Sequence, residues 1–154
     1  MLLECDSIVL ERALPWRDTS PMSAILPIPL SGLAASVRRV DAAASNIANA
    51  QSAGTPSSAG GASATAAYQP VDVVQSPAAG GGTVAAYRPV APATRPSYEP
   101  DSPVADADGM VAEPNVDVSA QMTDILTARR SYEANLKVIE AAGRMQDEAL
   151  RIVV

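Results

Sequence analysis

The stretch from Pro114 to Val154 constrains the fold most, because its apolar residues recur at alternating steps of four and three. The positions on this seam are Val118, Met122, Ile125, Arg129, Tyr132, Leu136, Ile139, Gly143, Gln146, Leu150 and Val153. Such spacing is typical of an amphipathic helix that packs in coiled-coil fashion. Acids also precede bases by four positions, as in Glu133 with Lys137, which stabilises a helix. The sequence therefore predicts one long amphipathic helix.

A second, shorter seam follows Pro27 and Pro29. Its apolar positions are Leu30, Leu33, Val37, Val40, Ala44 and Ile47. We expect a helix that begins after the two prolines with Ser31 as its N-cap. This helix should fade between Asn49 and Gly54.

Between the two helices, residues 52–115 hold 9 of the 13 prolines and 7 of the 9 glycines, which excludes a long helix. Strand-forming residues occupy Tyr68–Gln75 and Thr83–Arg88, with Ser76–Gly82 as the turn between them. We therefore predict a small hairpin. The preceding glycine and serine tract, Ala53–Ala66, is typical of a flexible linker.

The approach to the long helix is predicted to be extended. Each proline within residues 89–100 biases its predecessor away from the helical region. Asn115 is the expected N-cap of the long helix, and Asp117 adds a negative charge where the helix dipole favours one.

Composition excludes several classes of function. A net charge of -6 without a basic cluster argues against nucleic acid as a partner. No apolar run approaches the roughly 20 residues that span a bilayer, so we expect no transmembrane segment. The chain has no histidine and a single cysteine, Cys5, which leaves few nucleophile and base arrangements. We expect no enzymatic activity, no cofactor and no metal.

Two short motifs have simpler explanations than ligand binding. Asp106, Asp108 and Gly109 lack the third acidic position and the distant Glu of a calcium loop, so we interpret them as a turn. Gly80–Gly82 lacks the Lys and Ser or Thr of a phosphate loop and is interpreted as a mobile turn.

The N-terminal residues 1–21 begin like a secretory signal, but Glu4, Asp6 and Glu11 interrupt it. Because a cleavable signal needs a positive start and an uninterrupted apolar run, we expect none here. Met22 follows at once and is our hypothesis for the true start. The alternative is a disordered N-terminal tail.

The connector brings the end of the first helix beside the start of the last, so the two seams should pair antiparallel. At about 1.5 Å per residue the helices would be roughly 30 and 55 Å long, so their lengths do not match. The seam from Leu136 to Val153 is therefore expected to lack an internal partner and to form an interface with other chains. The alternative is that the last turns fray around Gly143.

With both ends in view, the chain resembles the flagellar axial proteins of bacteria. Ser31–Ala50, SGLAASVRRVDAAASNIANA, resembles the heptad stretch ending in SNIAN that rod, hook and hook-associated proteins share. Tyr98–Ala142 resembles the proximal rod proteins more specifically, in its proline-rich approach, D-x-D-G turn, P-N-V-x-V entry and R-x-Y-x-A-N helix. The last motif occupies Arg130, Tyr132, Ala134 and Asn135.

The resemblance covers about Ser23 to Val154 and is weakest in the middle. After Asn49 the chain has AQSAGTPSSAGG where the family usually carries aromatic and basic residues. The resemblance implies a non-enzymatic subunit that packs in a helical array around a channel and carries torque from motor to hook. It also implies export through the flagellar type III apparatus without a cleaved signal, and ends that stay poorly ordered until polymerisation.

We therefore predict a mainly α fold in which N- and C-terminal helices form an antiparallel coiled-coil-like hairpin around a small irregular or β module. The predicted segments are an extension over 1–21, a first axial helix over 22–51, a Pro/Gly-rich module over 52–115 and a last axial helix over 116–154. Predicted interface residues are Leu33, Val37, Val40, Ile47, Val118, Met122, Ile125, Tyr132, Leu136, Ile139 and Leu150.

The predicted function is a structural subunit of the flagellar basal-body rod, of the proximal type, located in the periplasmic rod. Its predicted partners are copies of itself, other rod subunits and the type III export apparatus. The alternatives are another rod or hook component, or a coiled-coil adaptor or export chaperone that binds one partner helix. An adaptor would remain in a small defined complex, whereas a rod subunit would enter basal bodies.

Overall fold

A computed structural model describes residues 26–56 and 65–153 of the chain. In chain order the elements are α1 (Pro27–Ala48), β1 (Val71–Pro77), β2 (Thr83–Pro89), β3 (Thr94–Tyr98), β4 (Met110–Pro114) and α2 (Val118–Val153). Strands β1 and β2 form one antiparallel pair, and β3 and β4 form another. Two helices therefore flank a small module of two sheets, as predicted in outline. The predicted extension over 1–21 lies outside the described residues.

Helix α1 begins at Pro27, earlier than predicted, so Pro27 and Pro29 lie in its first turn. The first amide groups of a helix have no partner within it, so proline is tolerated there. The prediction of Ser31 as N-cap was wrong. The Ser31 hydroxyl donates to the Ile28 carbonyl at 2.7 Å and accepts from the Thr83 amide at 3.0 Å.

The hairpin predicted between Tyr68 and Arg88 is confirmed, with β1 shifted toward the turn. Three consecutive glycines, Gly80–Gly82, have positive φ angles, which favour glycine. A Cβ at Gly82 would also lie 2.4 Å from the Ser31 hydroxyl oxygen. The glycine run thus allows the hairpin tip to approach the first turns of α1.

The second sheet was missed, because residues 89–100 were predicted only to be extended. Strand β3 pairs with β4, and Arg95 forms an ion pair with Glu113 across them at 3.0 Å. The predicted turn before β4 is confirmed, since one Asp106 carboxylate oxygen accepts from the Asp108 and Met110 amides at 3.0 and 2.9 Å.

The start of the predicted linker, Ala53–Ala66, is paired with this second sheet. Gly54 and Ala112 exchange two backbone hydrogen bonds, at 2.9 and 2.8 Å. Residues 57–64 of that tract lie outside the described residues. The described beginning of the tract is therefore held against β4.

Helix α2 is capped by Asp117, and the prediction of Asn115 as its N-cap was wrong. One Asp117 carboxylate oxygen accepts from the Ser119 and Ala120 amides at 2.9 and 3.2 Å. The Asn115 side chain instead donates to the Pro92 carbonyl at 3.1 Å. The N-cap is the residue that directly precedes the first helical turn. That residue is Asp117, and Asn115 lies two residues earlier in the chain.

Candidate subunit interface

The two helices lie side by side and run in opposite directions. A Cβ added at Gly32 would lie 2.7 Å from the side-chain nitrogen of Asn135, near the start of α1. Near its end, the Asn46 amide donates to the Gln121 side-chain oxygen at 2.9 Å. Residue numbers therefore increase along α1 in the direction in which they decrease along α2, so the two helices are antiparallel. Both contacts join the two stretches that resemble the flagellar family, Ser31–Ala50 on α1 and the α2 part of Tyr98–Ala142.

Small side chains fill the seam between these two contacts. Ser36 and Ala43 on α1 are 3% and 2% exposed, and Ala128 on α2 is 0% exposed. Ser36 lines a cleft with Tyr132, and Ala43 lines another with Gln121. Because glycine, alanine and serine have short side chains, the two helix backbones approach closely.

A second face of α1 carries the first hairpin and is also lined by small residues. Ala35 and Ala42 pack against Val73 and Ala85 of β1 and β2 in a buried cluster. The Arg38 guanidinium donates to the Ala85 carbonyl beside this cluster. With Ser31 at the hairpin tip and Asn46 at its base, the hairpin is held along most of the length of α1.

The predicted interface residues lie on a third face, which we call the outer face. It comprises Leu30, Leu33, Val37, Val40 and Ile47 of α1 with Val118, Met122, Ile125, Tyr132 and Leu136 of α2. Leu33, Val40, Ile47 and Ile125 are half-buried, whereas Leu30, Val37 and Met122 are about half exposed, at 53%, 46% and 51%. Val118, Tyr132 and Leu136 are exposed by 42%, 37% and 38%.

A groove of about 300 Å³ brings part of the outer face together. Val37 and Val40 of α1 line it with Ile125 and Tyr132 of α2. Its rim carries Asp41 and Arg129, and Arg129 is ion-paired with Glu133 at 3.0 Å. Residues seven positions away lie on the same side of a helix, so the other outer-face residues continue this surface in both directions.

The last part of α2 lies beyond the contact region with α1. Gly32 lies against Asn135, only five residues after α1 begins at Pro27. Ile139 is half-buried and Ala142 is 4% exposed, but every residue from Gly143 to Ile152 is exposed. Leu150, a predicted interface residue, is 60% exposed. The far end of α2 therefore has exposed side chains and no partner helix among the described residues.

Most of the predicted interface positions lie on the outer face, and the inner seam of α2 was not predicted. The covered positions there are Gln121, Ala128, Asn135 and Ala142, and they are separated by seven residues each. Its members are small or polar, so this heptad gives little apolar signal in the sequence.

The part of the chain that the structure describes holds no cluster of three or more acidic, histidine or cysteine residues placed to bind a metal. Within the same residues, neither helix combines the length and apolar character that a membrane span requires.

Comparison with known proteins identifies relatives along most of the chain. Residues 107–152 match the family described as flagellar basal body rod FlgEFG protein C-terminal. The flagellar basal-body rod protein FlgC of Salmonella typhimurium is 38% identical over 128 residues, covering 83% of this chain and 95% of the relative.

Two further relatives carry the same name. The FlgC protein of Escherichia coli O6:H1 is 36% identical over 141 residues, covering 83% of this chain and 95% of the relative. That of Aquifex aeolicus is 36% identical over 115 residues, covering 73% and 82%.

Proposed function

The chain belongs to the FlgC family of flagellar basal-body rod proteins and is a structural subunit of the basal-body rod; from this premise we propose that it assembles through the outer face of its two helices and the far end of α2. The proposal rests on one observation above all: the bulky apolar side chains of both helices lie together on one side, where each is half-buried or exposed. Exposed contiguous apolar surface of this kind is typical of an interaction site.

The helix pair is the proposed assembly unit. We propose that α1 and α2 pack as an antiparallel coiled coil, with the Gln121, Ala128, Asn135 and Ala142 heptad supporting this geometry. The outer face then presents side chains from both helices together. Neighbouring subunits, whether copies of this chain or other rod proteins, would cover it.

Further properties rest on the family resemblance. We propose that the subunit belongs to the proximal part of the rod, in the periplasm, where it transmits torque as part of a helical array. We also propose that it leaves the cell through the flagellar type III apparatus without a cleaved signal, as an unfolded chain whose helices pair after export and whose ends become fully ordered only on assembly.

Replacing Leu136 by Asp tests the proposed interface. A charge buried between subunits costs several kcal/mol, whereas the same charge costs little in an unfolded exported chain. We expect Leu136→Asp to be exported but absent from isolated basal bodies. Leu136→Met, which conserves volume, should be incorporated normally. Normal incorporation of Leu136→Asp would contradict the proposal, and a variant that is not exported would show that assembly is not the step at fault.

A further inference from the structure

The Asn46 side chain is the most completely bonded buried polar group on the described part of the helix pair. It is 2% exposed, and its amide nitrogen donates to the Val71 carbonyl at 2.7 Å and to Gln121 at 2.9 Å. Its oxygen accepts from the Val71 amide at 3.0 Å and from the Tyr68 hydroxyl at 3.1 Å. Both donors and both acceptor positions of the amide are therefore used.

The backbone of Val71 fixes the orientation of this amide. An amide N–H only donates and a carbonyl only accepts, so the oxygen of Asn46 must face one and the nitrogen the other. Such paired bonding resembles one rung of a β-ladder, with a side chain in place of a strand. Asn46 thus pairs with both backbone groups of Val71, the first residue of β1, and so joins β1 to α1.

The apolar cluster and the Ser31 and Arg38 hydrogen bonds join the hairpin to α1 alone. The apolar cluster of Ala35, Ala42, Val73 and Ala85 is small and would tolerate sliding or rotation. Ser31 and Arg38 hold the tip and the middle of the hairpin, and they bond only within α1 and to the hairpin. Asn46 bonds to β1 and to α2 at once.

We propose that Asn46 is a positioning residue that fixes the orientation of the β1–β2 hairpin on the helix pair. Through it, α1, α2 and the hairpin base are coupled at one buried residue, so these three elements move together. This inference concerns the single chain and does not depend on the proposed assembly surface.

Replacing Asn46 by Asp tests the proposal with almost no change in volume. The introduced carboxylate would face the Val71 carbonyl and the Gln121 oxygen, and Asp72, Asp117 and Asp124 line the same cleft. The Val71 amide and the Tyr68 hydroxyl would still donate to the carboxylate, but burial at 2% exposure and these acidic and carbonyl neighbours together disfavour the charged form, so the pKa of the introduced carboxyl should be raised. When protonated, it can still donate one hydrogen bond.

A pH dependence follows from this change. A raised pKa means that the coupling is retained at low pH and lost as pH rises through that pKa. The chain has no histidine, the side chain that ordinarily titrates between about pH 5 and 8, so the unmodified protein should change little over that range.

The experiment measures amide exchange at Val71 and residual dipolar couplings of the full chain at about pH 5 and 8. For Asn46→Asp we expect Val71 protection to fall at least tenfold at the higher pH and to recover partly at the lower one. The couplings of β1 and β2 should lose their fixed relation to those of the helices only at the higher pH. The matched control is Asn49→Asp, because Asn49 makes a local side-chain bond to the Ser45 carbonyl at 2.9 Å.

Equal behaviour of Asn46→Asp and Asn49→Asp, or a fixed hairpin orientation at both pH values, would overturn the proposal. If Asn46→Asp fails to fold, Tyr68→Phe gives a second test, since it removes one hydroxyl from the same network. We expect Val71 protection to fall about fivefold in Tyr68→Phe, the effect of one lost hydrogen bond. Unchanged protection there would also contradict the proposal.

Discussion

The covered faces of α1 carry smaller side chains than its outer face does. In an ordinary globular core, the larger apolar side chains are the covered ones. The faces covered by α2 and the first hairpin carry Gly32, Ala35, Ser36, Ala42 and Ala43. The outer face carries Leu30, Leu33, Val37, Val40 and Ile47 of the same helix. The larger apolar side chains of α1 are therefore at most half-buried inside the single chain.

This division has an energetic consequence. Fully burying a Val, Leu or Ile side chain contributes about 1.5–3 kcal/mol, whereas an alanine contributes much less. The free chain is held by small residues and directed hydrogen bonds, and the larger hydrophobic contribution becomes available only when another chain covers the outer face. Such a subunit should be stabilised strongly by assembly.

The largest effect is expected from placing a charge on the outer face. Val37→Asp should change the free energy of unfolding of the free chain by less than about 1 kcal/mol, because the side chain is 46% exposed. In a strain without its own copy of the gene, it should abolish motility and incorporation into basal bodies, since the buried charge costs several kcal/mol per subunit.

Val84→Asp is the matched control, since Val84 is 52% exposed on β2 of the first hairpin. Val84→Asp should be incorporated into basal bodies about as well as the unmodified chain. If both variants block incorporation equally, the helix outer face has no special role, and the comparison between faces fails.

The inner face should respond in the opposite way. Ala43 is 2% exposed in the seam with α2, so Ala43→Leu should lower the free energy of unfolding by about 1–3 kcal/mol through overpacking. Urea unfolding measures this change. Ala34→Leu, at an exposed position of the same helix, should stay within about 0.5 kcal/mol of the unmodified chain. A tolerated leucine at Ala43 would show that the seam is loosely packed.

A smaller effect is expected at Gly32, where an added Cβ meets the end of one side chain. Gly32→Ala should destabilise the chain by about 1 kcal/mol, because Asn135 must move and the helix propensity gained offsets part of the cost. Shortening the partner should relieve the clash. In a double-mutant cycle, Gly32→Ala with Asn135→Ala should therefore be less destabilised than the sum of the two single variants; strict additivity would mean that the contact is absent.

The pattern of apolar residues in the sequence predicted both helices and the outer face, because bulky side chains at heptad spacing are conspicuous. It did not predict the inner seam, where Asn46 and Gln121 are covered through specific hydrogen bonds rather than hydrophobicity. A polar residue at a covered position becomes interpretable only when its partner is known. The partners here are distant in the chain.

The strands also show that pairing between segments distant in the chain is not predicted from local sequence patterns. The first hairpin was found from its β-branched residues and glycine turn, which are local signals. Pairing of β3 with β4 joins Thr94 to Pro114 across the Asp106 turn, and Pro96 within β3 obscured the strand signal. The caps failed for a related reason, since Ser31 and Asn115 both bond to groups in other segments.

The smallest expected effect separates the two helical glycines. A Cβ at Gly143 meets nothing within 4 Å, in contrast to Gly32, and the residue lies in the uncovered end of α2. Gly143→Ala should therefore stabilise the free chain by about 0.5–1 kcal/mol through helix propensity alone, as measured by urea unfolding. If the far end of α2 packs closely against a neighbouring subunit, the added methyl group would occupy that contact. Incorporation into basal bodies should then fall although the free chain is more stable. Improved or unchanged incorporation would show that Gly143 lies outside the interface. The far end of α2 would then contribute through its larger side chains, such as Leu150.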